Sequence, residues 1–281
     1  MSEQRINISQ ILEKKKKGQK IVMLTAYDFP TASLLDQGGV DIVLVGDSLA
    51  NVVLGLESTK DVTMAQMIHH AKAVNRAVKR ALLVGDMPFE AYQKHPRTAL
   101  RNAKRFIMEA GCNAVKLEWF DQCLDVARKI VKAGIPVMGH VGLTPQTADQ
   151  LGGFKVQGKD ADSTQKIIEN AKALEAVGCF SIVLECIPAE VAKVITESLS
   201  IPTIGIGAGV HCDGQVLVIH DLLGLSMRHK PKFVKEYGHL KDSILECVQH
   251  FCKEVRSEQF PDPEHSYKAN SEEVDKLNIG K

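Results

Sequence analysis

Residues 113–142 read NAVKLEWFDQCLDVARKIVKAGIPVMGHVG. The run NAVKLE (113–118) is short and apolar, 121–133 carries a helical period, and IPVMGHVG (135–142) is a second apolar run. Gly134, between helix and strand, can take the left-handed backbone that ends a helix. Strand, helix and strand at this spacing form one βαβ unit, which places two strands parallel in one sheet.

The same alternation extends in both directions. Strand-like runs occur at KIVMLTAYD (20–28), DIVLVGD (41–47), ALLVGDMP (81–88), FSIVLE (180–185), IPTIGIGAG (201–209) and QVLVIHD (215–221). Helical stretches are expected at 63–80, 97–110 and 161–177, with Gly111 and Gly178 closing two of them. Eight strands with intervening helices predict an α/β protein, a (β/α)8 TIM barrel preceded by a short N-terminal helix. A doubly wound open sheet is disfavoured, because its first strand usually runs into a GxGxxG turn and here it ends in TAYDFP.

Residues 1–257 are read as one catalytic barrel with its N-terminal helix, and 258–281 as an irregular polar tail. A chain of 281 residues that is 44% hydrophobic can fill one such core. A net charge of +1 provides no long-range field for nucleic acid or an anionic membrane, so neither is expected as a partner. The run Lys14 to Lys17 reads as a solvated helix end. Seven scattered cysteines without a CxxC pair argue against a disulfide framework and for a cytoplasmic location. The N-terminus lacks an apolar leader and no run of about 18 apolar residues occurs, so a soluble protein is expected.

In a parallel barrel the loops after the strands converge on the active site. Asp47, Asp86, Lys116, Glu118, His140 and Glu185 all fall at expected strand ends. Lys116 and Glu118 are two apart, so both should face the barrel mouth. Asp47, Asp86 and Glu118 offer hard oxygens that suit Mg²⁺, and Lys116 could meet an anionic substrate. Such a metal could chelate a 2-oxo acid and stabilise its enolate. Glu185 is a candidate general base, and His140 could share that role or merely orient the bound substrate. His69, His70 and His220 read as structural. GIGAG (205–209) lacks the rest of a nucleotide motif, and His211, Cys212 and Asp213 read as a loop. The long connections 48–62 and 141–160 read as lids or binding loops.

Taken together, LTAYD (24–28), VGDSLANVVLG (45–55), ALLVGDMPF (81–89), AVKLE (114–118), VMGHVGLTPQ (137–146), GGFKVQGK (152–159), VLECIP (183–188) and GIGAGVHCDGQVLVIHDLLGL (205–225) resemble the ketopantoate hydroxymethyltransferases along nearly the whole chain. The resemblance implies transfer of a hydroxymethyl group from 5,10-methylene-tetrahydrofolate to 3-methyl-2-oxobutanoate through a Mg²⁺-stabilised enolate, in pantothenate and coenzyme A biosynthesis. It implies one Mg²⁺ per subunit on Asp47 and Asp86 with Glu118 close by, oxo-acid contacts from Ser48 and Lys116, Glu185 as proton acceptor, and a homodecamer. Glu90 and Ala91 after MPF, and Trp119 after KLE, depart from the commonest family pattern and border the mouth.

Two other functions fit the same fold. A carbon–carbon lyase or mutase of the phosphoenolpyruvate mutase and isocitrate lyase group would place a catalytic Cys in a mobile loop, and the loops 48–62 and 141–160 contain none. A catalytically silent assembly subunit would have no reason to carry the whole acidic set.

Overall fold

The computed structural model describes residues 5–227 and 230–270, together with Glu272 and Val274. Two compact units divide the chain: Met1–Leu222 with Ser226–Lys235, and Leu223–Leu225 with Glu236–Lys281.

The first unit contains a closed barrel of eight parallel strands in sequence order, with β1 pairing β8 to complete the ring. The strands are β1 (Ile21–Thr25), β2 (Ile42–Val45), β3 (Leu82–Asp86), β4 (Ala114–Lys116), β5 (Val137–Gly142), β6 (Ser181–Glu185), β7 (Thr203–Ile206) and β8 (Gly214–Leu217). Helices α1 (Ile8–Lys16) and α2 (Phe29–Gln37) come first, and the short α3 (Leu49–Val52) follows β2. The outer layer continues with α4 (Met64–Ala77), α5 (Pro96–Met108), α6 (Cys123–Lys132), α7 (Ala161–Ala176) and α8 (Ala189–Ser198), and α9 (Ile219–Leu222) is a single turn. Among the described residues, no helix is long and apolar enough to cross a membrane.

Local chemistry explains several of these boundaries. Thr63 and Gln66 form a reciprocal capping box at the start of α4, and Asp160 and Ser163 form another at α7. Gly111, Gly134 and Gly178 take φ values of 72°, 80° and 101°, the left-handed backbone expected of them. The last strand is shorter than the run 215–221. Ile219 N donates to Thr25 Oγ1 at 3.0 Å and the chain turns into α9, so His220 sits on a helix.

Side chains from alternate strand positions fill the barrel: Ile21 and Met23, Ile42 and Leu44, Leu82 and Val84, then Ala114, Met138, Val183, Ile204 and Val216. Helix α1 closes the end of this core from which the strands start, burying Ile11 completely. Lys16 and Lys17 are exposed at the helix end as expected, but for Lys14 and Lys15 the expectation of a solvated run needs correction. Lys14 pairs with Asp41 at 2.8 Å and Lys15 with Asp213 at 2.8 Å, tying α1 to residues just before β2 and β8. Pairs so distant in sequence leave no local signature. Asp213 also accepts from Thr203 N at 2.9 Å, so the segment 211–213 has a structural role.

Gly85 illustrates how closely the helical layer approaches the barrel. A Cβ there would lie 2.3 Å from Cδ1 of Phe106 on α5. Gly85→Ala is expected to destabilise the protein by about 1–3 kcal/mol through overpacking, read from the midpoint of urea unfolding.

The second unit consists mainly of α10 (Leu240–Arg256), none of whose residues is buried. A single 3-10 turn follows at Pro263–His265, and Phe260 packs against Phe251 and His265 with ring centroids 5.4 and 5.8 Å away. Between 258 and 270 the chain is otherwise irregular. Of the polar tail expected to 281, residues 271, 273 and 275–281 lie outside the described residues.

Candidate active site

Strand periodicity brings the charged residues to one place. On β3, Asp86 continues the inward row of Leu82 and Val84, and Lys116 at the end of β4 and Glu118 just beyond it continue that of Ala114. His140 follows Met138 on β5, and Glu185 follows Val183 on β6. These rows are apolar below and charged at the carboxyl ends of the strands. Asp47 lies just beyond β2, with its backbone N donating to Asp86 Oδ2 at 3.3 Å. Ser48 follows, and its hydroxyl is 2.7 Å from the hydroxyl of Tyr27.

Lys116 is 4% exposed and its Nζ donates to both oxygens of Asp86, at 2.9 and 2.8 Å. Burial alone would favour a neutral amine, but Asp86, Glu118 and Asp47 outweigh it and hold Lys116 protonated. Burial pushes Asp86 up to about 7 against the pull of Lys116, with Asp47 adding repulsion. Burial likewise raises Glu118 well above the carboxylate range, and Asp47 adds to the rise. Glu185 is raised to about 7 by burial, opposed by Lys116. Four carboxyl groups thus surround one ammonium group, and the excess acid is partly relieved by protonation.

His140 lies between two of those carboxyls. Its Nδ1 is 3.6 Å from Glu118 Oε1 and its Nε2 is 3.3 Å from Glu185 Oε2. Burial holds the imidazole well below its usual range, with Lys116 adding to the effect, so the ring is neutral. A neutral imidazole has one N–H and one lone pair. The nitrogen with the lone pair therefore needs a protonated carboxyl opposite it, which the raised Glu118 and Glu185 can provide. Among the described residues neither ring nitrogen completes a hydrogen bond. Moving a proton from a protonated Glu185 to His140 creates a buried carboxylate–imidazolium pair unless the ring passes its other proton to Glu118 in the same step.

The backbone around Glu185 is tightly held. Gly142, its ladder partner on β5, has φ 96°, and a Cβ there would be 2.3 Å from the Glu185 carbonyl oxygen. Cys186 takes a left-handed φ of 48°, which costs a non-glycine residue about 1–3 kcal/mol. Hydrogen bonds from Cys186 N to Ile206 O at 2.9 Å and from Gln157 N to Cys186 O at 2.8 Å fix that turn.

Gln146, on the loop 141–160, is the residue that sequence reasoning missed. It is fully buried, and its Nε2 donates to Asp47 Oδ2 at 2.8 Å and to Met87 O at 3.1 Å. Its backbone N donates to Glu118 Oε2 at 2.9 Å, and its side-chain oxygen accepts from the hydroxyl of Tyr92. Neutral residues at a loop tip and after a strand give no charge signal. The available hints were the length of the loop and the place of Gln146 at the end of VMGHVGLTPQ. Lys60 on the loop 48–62 pairs with Asp149 at 2.6 Å, so the two long loops meet over the site.

Asp47 and Asp86 are adjacent, whereas Glu118 is held by Gln146 and faces His140. Among the described residues no group of three His, Cys, Asp or Glu side chains stands ready to hold a metal ion. The donor set nevertheless fits a hard divalent cation. Two neighbouring carboxylates in a pocket with excess negative charge suit Mg²⁺, which commonly binds through one or two carboxylates and fills its remaining positions with water and substrate.

A family model described as ketopantoate hydroxymethyltransferase matches residues 5–263. The 3-methyl-2-oxobutanoate hydroxymethyltransferase of Syntrophomonas wolfei is 52% identical over 273 residues, covering 97% of this chain and 99% of that protein. The protein of the same name from Syntrophus aciditrophicus is 54% identical, covering 94% and 97%. Among solved structures, a phosphoenolpyruvate phosphomutase from Streptomyces platensis aligns over 97% of this chain and 95% of its own, with TM-score 0.62 and 13% identity, a likeness of fold. With its eight-stranded barrel and a family match that takes in every charged residue at the mouth, the chain belongs to the ketopantoate hydroxymethyltransferase family.

Proposed function

We propose that this protein transfers a hydroxymethyl group from 5,10-methylene-tetrahydrofolate to 3-methyl-2-oxobutanoate, forming 2-dehydropantoate in pantothenate and coenzyme A biosynthesis. The observation that carries the reading is Glu185, a carboxyl at the mouth raised to about 7 and placed 3.3 Å from a neutral His140. A base with that affinity for protons is matched to removing one from carbon at neutral pH.

Glu185 takes the proton from C3 of the oxo acid, leaving the electron pair to delocalise onto the C2 oxygen. C3 then attacks the one-carbon unit as its bond to one folate nitrogen opens, and water displaces the second nitrogen to give the hydroxymethyl group. The two nitrogens take up the C3 proton and one proton of water to leave tetrahydrofolate. His140 stands 3.3 Å from Glu185 and can relay its proton together with Glu118. Lys116 and Ser48 face the anionic end of the substrate, and Lys116 lowers the proton affinity that burial gives Asp86. Asp47 and Asp86 would hold Mg²⁺, with Glu118 beside them. When bound, the metal supplies a Lewis acid for the carboxylate and keto oxygens of the 2-oxo acid.

This assignment makes a direct prediction. Asp47→Ala and Asp86→Ala should each weaken Mg²⁺ binding in titration calorimetry by roughly tenfold or more, a loss of about 1.4 kcal/mol per decade. Unchanged Mg²⁺ affinity in both variants would remove the metal site, as expected of a catalytically silent barrel. Seven free thiols support a cytoplasmic location, and family membership supports a homo-oligomer of decameric size.

A further inference from the structure

Gln146 is an uncharged side chain that bonds both Asp47 and Glu118, and its own position is closely fixed. The local sequence sets that position. Pro145 opens the 3-10 segment Pro145–Leu151, where its missing N–H leaves no bond unmade. Thr144 and Thr147, both buried, brace the turn: their hydroxyls are 2.6 Å apart, and Thr147 N donates to Thr144 O at 2.9 Å. Just before it, Leu143 N donates to Glu185 O at 2.9 Å, which anchors the turn to the end of β6.

The orientation of the Gln146 amide follows from partners that can act in only one way. Met87 O can only accept, so the atom 3.1 Å from it is the nitrogen. The Tyr92 hydroxyl accepts from Glu118 N at 3.3 Å, so its own proton goes to Gln146 Oε1. The second N–H of Nε2 is then donated to Asp47 Oδ2, and the backbone N holds Glu118 Oε2. These bonds leave the carboxyls with different freedom. Among the described residues, Asp47 Oδ1 accepts no hydrogen bond. Glu118 is tied through Oε2, and its Oε1 lies 3.6 Å from His140 Nδ1. Neither carboxyl can swing to follow a larger ion without breaking a buried hydrogen bond.

We infer that Gln146 is a positioning residue for the divalent cation, fixing Asp47 and Glu118 so that the mouth prefers a small ion over a larger one. The inference rests on the Mg²⁺ assignment proposed above and deepens it. Mg²⁺ demands near-ideal octahedral geometry and binds through about one or two carboxylates, whereas Ca²⁺ takes about 6–8 oxygens in flexible geometry. Few and rigid ligands favour the first ion, and mobile carboxylates that can offer both oxygens favour the second. An amide suits this position, because it donates to Asp47 without adding charge. A lysine there would compete with the cation.

The test is titration calorimetry of the full-length protein with magnesium chloride and, separately, calcium chloride, alongside urea unfolding. Gln146→Leu removes both side-chain N–H donors at similar volume. It should lose roughly tenfold or more in Mg²⁺ affinity, the range for residues that hydrogen-bond metal ligands, and less in Ca²⁺ affinity. The ratio of Mg²⁺ to Ca²⁺ affinity should therefore fall. Tyr92→Phe keeps the ring against Phe120 and removes only the hydroxyl that sets the amide, so it should shift the ratio in the same direction. If Gln146→Leu does not fold, Tyr92→Phe decides. A residue needed only to bond and fill the interior would lower stability in urea and leave the ratio as it was. An unchanged ratio in the folded variants thus overturns the inference while leaving the metal site standing. A parent that binds neither ion overturns the metal assignment and the inference with it.

Discussion

Glu185→Gln is expected to fold, to bind Mg²⁺ and to lose roughly 10²–10⁴-fold in turnover, the range contributed by a well-placed general base. The amide is close to isosteric with the carboxyl, so contact with His140 persists while the proton acceptor is lost. The parent should also show a distinctive pH dependence. Burial raises Glu185 to about 7, and a base acts only when deprotonated, so kcat/KM should climb through about pH 7, well above the ordinary carboxylate range near 4. In the Gln variant that limb should vanish from the residual activity. Turnover near the parental level would shift the proton transfer to His140, the other candidate within reach.

The second large effect concerns stability. Lys116→Met removes the cation that meets both oxygens of Asp86 and leaves buried Asp47, Asp86 and Glu118 facing one another. Breaking a buried pair from one side typically costs about 3–5 kcal/mol, and chemical denaturation in EDTA should show a loss of that order. The sign of its pH dependence follows from Asp86. Its folded-state value is already raised to about 7, and losing Lys116 raises it further. The folded variant then binds protons that the unfolded chain releases, so its stability falls as pH rises. The gap between variant and parent should be wider at pH 8 than at pH 6. A gap that narrows over that interval would mean that Lys116 does not lower the proton affinity of Asp86.

The barrel was legible because parallel strands buried on both faces are written as continuous apolar runs, and the helices between them keep their own period and their closing glycines. The positions of Asp86, Lys116, Glu118, His140 and Glu185 followed from the same logic, since the last residues of barrel strands must project into the mouth. Less was legible where a neutral residue or a long-range pair decided the structure. Gln146 connects Asp47 to Glu118 from a loop 28 residues beyond Glu118. Lys14 and Lys15 pair with Asp41 and Asp213, which no local period relates to them. The end of β8 was misplaced because VLVIHD has strand-like composition throughout, whereas the bond from Ile219 N to Thr25 draws the chain out of the ladder.

The most direct test of the proposed function is the formation of 2-dehydropantoate by purified protein supplied with Mg²⁺, 3-methyl-2-oxobutanoate and 5,10-methylene-tetrahydrofolate, followed by NMR with and without EDTA. Product that accumulates with Mg²⁺ and disappears with EDTA is the predicted result. Well-folded protein that yields neither product nor metal-dependent deuterium exchange at C3 of the oxo acid would contradict it.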